Sequence, residues 1–369
     1  MKANDRYIRF IFLTGISKFA RLGVFSTLNH TTDISLMSEY AGICGYTEEE
    51  IIQYFPDYLE DTSQKMGLST DELIARMRHY YNGFCFDYEL KERLYNPYST
   101  LAFFFAKRFA DYWVETGQSK MIADYMKNRK LTAEQFRRFS ISASFAQSPG
   151  DVDTTPPEGF LYQCGYLTLS ESRSGNFLLD YPNTEVLNSM SRLFIQNTVS
   201  ETVYNVIQGE LTDAVTSNNV DAFVTVVNRL LAKIPYEDYS IEKMLTRENY
   251  LLLLEKICRS SILSFLHGCG LNVIGEMHTN KGRSDLVFSS DLTFGVASSL
   301  RRPTTWVVEI KIAAKRQSAK HRAIEALQQI VDNNYAAPFS DALCVGLSIH
   351  EEKRQITEFT SKQMTHGMR

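Results

Sequence analysis

The feature that most constrains this chain is the run Thr305-Trp306-Val307-Val308-Glu309-Ile310-Lys311-Ile312, an apolar strand with an acid and a lysine at alternate positions. Side chains two apart in a strand share a face, so Glu309 and Lys311 point one way while Val308, Ile310 and Ile312 enter a core. Upstream, Asn272 to Thr279 reads as a strand that ends at the turn Asn280-Lys281-Gly282, and Asp285-Leu286-Val287-Phe288 as the strand that returns. If the strands pair in register, Asp285 meets Glu309 and Lys311. A lone Glu-x-Lys is more often a surface ion pair. Here the Gly282-Arg283-Ser284-Asp285 element and the helix that follows give it a chemical reading.

A hard cation such as Mg2+ or Mn2+ takes oxygen ligands and keeps several waters, so two carboxylates and a substrate phosphate make an adequate site. Asp285 and Glu309 are the expected ligands. Such a cation polarises a phosphoryl oxygen and activates a bound water, and Lys311 beside it would orient or deprotonate that water and offset transition-state charge. This is the chemistry of phosphodiester hydrolysis.

These residues carry a resemblance. Residues from about 246 to 350 resemble the PD-(D/E)XK nuclease domain found at the C-terminus of bacterial proteins with an AAA-ATPase-like N-terminal module. The matching pieces are Glu276, Gly282-Arg283-Ser284-Asp285, Glu309-Ile310-Lys311, and Ala326-Leu327-Gln328-Gln329-Ile330 followed by Tyr335-Ala336. The resemblance implies a restriction-endonuclease-like α/β sheet, a helix from Ala319 to Asn333 that projects Gln329 toward the site, and a further acid from the helix before the first strand. Glu248 is the residue assigned to that last role, with Glu255 on the same helix.

The rest of the chain is similar to the same proteins. Phe10 to Phe19 looks like the strand and turn of an ATPase-like module, with Thr14 in the place of a phosphate sensor. Ile43 to Thr47, Tyr80-Tyr81-Asn82-Gly83-Phe84, Tyr95-Asn96-Pro97-Tyr98-Ser99, Tyr112 to Gly117 and Gly165 to Thr168 are similar too. The pattern G-x-x-x-x-G-K-[ST], whose amides and lysine cradle phosphates, does not occur. The chain therefore reads as a shortened member in which ATP hydrolysis is not expected.

The resulting expectation is a mixed, helix-rich α/β protein in three parts. Residues 1–105 would be the ATPase-like remnant with a helical lid, 106–240 an adapter, and 241–369 the nuclease-like domain. At 369 residues the chain exceeds one usual core, and 44% hydrophobic with 22% charged residues is ordinary globular composition. No apolar run approaches the ~20 residues of a membrane span, so no membrane association is expected and the cytoplasm is the default. The six cysteines include no Cys-x-x-Cys pair and read as small hydrophobes rather than as a zinc site or disulfide framework.

Thr47 and Ser69 or Thr70 are read as N-caps of helices, the second running to about Tyr80, and another helix is expected over 99–109. In the adapter, a helix near Phe160 to Cys164, a hairpin turning at Arg173-Ser174-Gly175, and a further helix form a winged-helix-like pattern. With Arg173 alone basic at the tip, protein packing is its expected use.

Net charge is −4, but residues 246–369 hold 16 Lys+Arg against 12 Asp+Glu, a balance of +4 that leaves −8 for residues 1–245. Lys315, Arg316, Lys320 and Arg322 cluster after the site and, with Arg283, are the expected contacts to nucleic-acid phosphates. DNA is favoured over RNA as the substrate. The other class of function that fits is a non-catalytic scaffold, in which the remnant and adapter hold a protein partner.

Overall fold

The computed structural model describes residues 7, 9–12, 14, 32–113, 122, 139–142, 157–173, 176–198, 201–233, 246–275, 278–279, 282–292 and 304–365. The readings at Gly15 to Phe19, Val114 to Gly117 and Glu276 fall outside these residues. The architecture is mixed α/β. It divides into one unit of Met1–Thr116 with Gln135–Leu187 and a second of Gly117–Glu134 with Asn188–Arg369. The division expected at residue 241 falls inside the second unit.

In the first unit, helices α1 (Glu48–Tyr54), α2 (Pro56–Met66), α3 (Thr70–Tyr81) and α4 (Pro97–Ala106) follow one another. Thr47 and Ser69 each close a capping box, with Glu50 and Glu72 as reciprocal partners. α4 starts two residues before the expected Ser99, because Asn96 caps it by accepting from the Ser99 N–H and Pro97 takes the first turn, where no amide partner is needed. It stops at Ala106, where Lys107 turns left-handed. Tyr80, Tyr81, Phe103 and Phe104 are buried together, as the paired-ring runs suggest, but Phe105 is 92% exposed. Gly83 has φ 107° and a Cβ there would overlap the Pro182 carbonyl oxygen, so the Asn-Gly pair marks a position that needs glycine.

The expected helix, hairpin, helix order is present as α5 (Pro157–Gln163), strands β2 (Thr168–Arg173) and β3 (Asn176–Asp180), and α6 (Thr184–Thr198). A strand not read from the sequence, β1 (Phe139–Ser142), adds to β3 and makes the sheet three-stranded. Phe10, Ile11 and Phe12, expected in a strand, are not in one, and the Phe10 and Phe12 rings are exposed. A strand needs a neighbour for its amides, and none pairs with these residues among those described.

The second unit holds α7 (Glu201–Thr216), α8 (Val220–Leu231) and α9 (Arg247–Gly268), then a five-stranded sheet. Its strands are β4 (Leu271–Gly275), β7 (Leu286–Leu292), β8 (Thr305–Ala313), β9 (Asp341–His350) and β10 (Ile356–Thr365), in the order β10-β9-β8-β7-β4. β8 and β9 are parallel and joined by α10 (Ala319–Asp332); the other neighbours are antiparallel. A parallel pair needs such a crossover, which lays a helix on one face. Where one continuous strand was expected from Asn272 to Thr279, the chain ends β4 at Gly275. It then forms a small hairpin of β5 (His278–Thr279) with β6 (Gly282–Arg283).

Both faces of β8 are covered. Trp306, Val308, Ile310 and Ile312 join Leu286, Phe288 and the helices α7 to α9 in one core, where Phe223, Phe288 and Trp306 lie ring against ring. Val307 faces the other way with Val287, Ile330, Tyr335 and Cys344, beneath α10. The alternation read from the sequence therefore holds, but the side carrying Glu309 and Lys311 is a second buried layer rather than an open surface.

Candidate active site

β7 and β8 pair antiparallel with Leu286 opposite Val308, so the next pair outward is Asp285 with Glu309. The Asp285 N–H donates to Glu309 Oε2 at 3.2 Å, and Asp285 Oδ2 accepts from the Ile310 N–H at 2.8 Å. The two acids are 6% and 2% exposed, which removes most of the water that would separate their charges. Lys311, two residues along β8, has its Nζ 3.6 Å from Glu309 Oε1. Burial pushes the Glu309 carboxyl up from its ordinary pKa, the Asp285 charge adds to this, and Lys311 pulls it back.

α10 supplies Gln329, whose Nε2 donates to Glu309 Oε1. Its approach depends on Gly346 of β9, the register partner of Glu309. A Cβ at Gly346 would overlap the Ala323 carbonyl oxygen and come 2.5 Å from Leu327 N, so only glycine lets the helix lie this close. The next position on that face of β9 is Ser348, opposite Lys311, and its hydroxyl is buried without a hydrogen-bond partner among the described residues. Gly282 plays a similar spatial part, since a Cβ there would meet Tyr335 Oη at 2.6 Å.

The two glutamates of α9 are placed differently. Glu248 is exposed in the first turn of α9, whereas Glu255, half-buried, interacts with Asp285, Lys311, Arg259 and Arg322. Burial and the Asp285 charge raise its carboxyl, and the three cations oppose this. Seven residues of helix separate the two glutamates by roughly 10.5 Å, so both cannot serve one site. Arg259 was not anticipated: its Nη1 lies 3.0 Å from Asp285 Oδ1. It stands four residues after Glu255, on the same helix face, and that i, i+4 charge pair between Leu254 and Ile262 was the available signal.

The basic cluster is divided. Arg316 and Lys320 are exposed. Lys315 pairs with Glu352 at 2.7 Å, and Arg322 pairs with Glu325 and donates to the Ile312 carbonyl at 3.1 Å. Arg283 has its backbone in β6, and its side chain is not among those described.

Among the described residues no three His, Cys, Asp or Glu side chains form a ready metal cage. A hard divalent ion does not require one, because it keeps waters and is held by one or two carboxylates plus substrate oxygens. The donor chemistry fits: two buried carboxylates lie side by side on adjacent strands, and a cation between them would offset their repulsion.

Residues 253–359 match the profile of the PD-(D/E)XK nuclease superfamily and form a domain of that superfamily. The match starts within α9 and does not extend over the segments read as ATPase-like. Over 99% of its length the chain is 28% identical to "Uncharacterized protein in vnfD 5'region" of Azotobacter chroococcum mcd 1, and it spans 65% of that protein. Among the described residues no helix is long and apolar enough to cross a membrane.

Proposed function

We propose that the chain is a metal-dependent nuclease that hydrolyses phosphodiester bonds, with DNA favoured over RNA. The observation that supports it best is the Asp285–Glu309 pair with Lys311 beside it, on adjacent strands inside the stretch that matches the nuclease superfamily. Asp285 and Glu309 would hold Mg2+ or Mn2+, with Glu255 in place of Glu248 as the acid from the helix. When bound, the ion would supply charge neutralisation at the phosphate and a more acidic water. Lys311 would orient or deprotonate the attacking water, and Gln329, donating to Glu309, would hold that carboxylate in place. Arg283, Arg316 and Lys320 are proposed phosphate contacts; Lys315 and Arg322 could join them only by leaving Glu352 and Glu325.

Residues 1–105, read from the sequence as the remnant of an ATPase-like module, are proposed as a partner-binding part. A non-catalytic scaffold is the second reading, favoured by one observation: Asp285 is already neutralised by Arg259. Incubating the purified chain with plasmid, linear duplex, single-stranded DNA and RNA, with Mg2+ or Mn2+, separates the two. Cutting by the parent and none by Lys311→Ala is the expected result. No cutting by folded parent protein under any of these conditions overturns the nuclease reading.

A further inference from the structure

Asp285 binds through two oxygens of different character. Oδ2 takes the Ile310 N–H, a backbone donor fixed in β8, whereas Oδ1 takes the guanidinium of Arg259, which is carried on a long side chain of α9. The Arg259 and Asp285 side chains, taken without their backbone, are 17% and 8% exposed, so their attraction is poorly screened by water. A divalent ion on Oδ1 would share that oxygen with a permanently charged guanidinium, and two cations on one carboxylate oxygen repel. One must give way, and a guanidinium on a long side chain can do so by a change of rotamer.

We propose that Arg259 is a displaceable counter-ion for Asp285, holding the carboxylate in the metal-free protein and competing with the divalent cation for its Oδ1 edge. This inference rests on the metal-site reading above. It makes loading of the site a replacement of one cation by another, so metal affinity is set by Arg259 as much as by the acids. A purely structural clasp gives the opposite sign: if Arg259 stayed in place and merely aimed Asp285, its removal would loosen the ligand and weaken metal binding.

The test is calorimetric titration of the full chain with Mn2+, comparing the parent with Arg259→Met, Arg259→Lys and Asp285→Asn. Arg259→Met is expected to bind about tenfold tighter than the parent, the scale of losing one charge-assisted hydrogen bond that the metal must otherwise break. Arg259→Lys, which keeps the charge but loses the planar fork, is expected between the two. Mn2+ should also raise the melting temperature of Arg259→Met by more than that of the parent, because the variant leaves Asp285 uncompensated until metal binds. Equal or weaker binding by both Arg259 variants, with the parent binding normally, overturns the counter-ion proposal alone. If the parent and both variants are folded and none binds Mn2+, the metal site itself falls and the proposal with it. If Arg259→Met does not fold, the comparison of Arg259→Lys with the parent decides by the same signs.

Discussion

Asp285, just before the start of β7, and Glu309, in the middle of β8, hold each other across two antiparallel strands: the Asp285 N–H donates to the Glu309 carboxylate, while the Asp285 carboxylate takes the amide of the residue after Glu309. The acids are thus oriented by strand backbone, which does not depend on Lys311. Lys311→Ala is therefore expected to leave folding and Mn2+ binding intact while lowering cleavage by about 100-fold or more. Circular dichroism, calorimetry and a plasmid-cutting assay on one preparation check this, and parent-level cleavage by the variant would remove Lys311 from the mechanism.

Glu255 and Glu248 can be separated by substitution. Glu255 interacts with Asp285 and Lys311, and Glu248 is exposed at the start of the helix. Glu255→Gln is expected to weaken Mn2+ binding by about tenfold or more, and Glu248→Gln to leave it unchanged. The reverse order in a metal titration would return the role to Glu248.

Two glycines predict opposite signs. Gly346→Ala forces a methyl group against the backbone of α10, with Leu327 N at 2.5 Å, and is expected to cost about 1–3 kcal/mol and to displace Gln329 from Glu309. Gly209 sits exposed within α7 with nothing within 4 Å of its would-be Cβ. Gly209→Ala is expected to stabilise by about 0.5–1 kcal/mol through helix propensity. Denaturant unfolding of the two variants reads both signs.

Glu185 in the first unit provides a pH dependence. It is buried and accepts from the Trp113 N–H at 2.9 Å; burial, with Asp111 adding to it, pushes its carboxyl from 4.5 up to about 8. The folded chain then holds a proton that the unfolded chain releases at lower pH. Between about 4.5 and about 8 this group's contribution to stability falls as pH rises. Glu185→Gln removes that slope. Melting temperatures of parent and variant across this range should diverge in their pH dependence, and parallel curves would contradict the assignment.

The local patterns are legible in the sequence itself. β8 and α10 run within a residue of the expected Thr305–Ile312 and Ala319–Asn333, because alternation and helical periodicity are written along the chain, and the caps at Thr47 and Ser69 depend only on residues three apart. The sequence brings Asp285 to Glu309 only on the condition that the two strands pair in register, and β7 and β8 meet that condition. Three things belong to the tertiary structure: that α10 buries the face carrying Glu309 and Lys311, that Glu255 is half-buried in the electrostatic field of Asp285 while Glu248 is exposed, and that Arg259 pairs with Asp285. Each depends on how far along its axis a helix docks against the sheet. That docking is set by packing at places such as Gly346, whose contacts on α10 lie about twenty residues away in sequence. Periodicity along a chain names the face of a helix, and packing between elements decides which turn of that face meets the site.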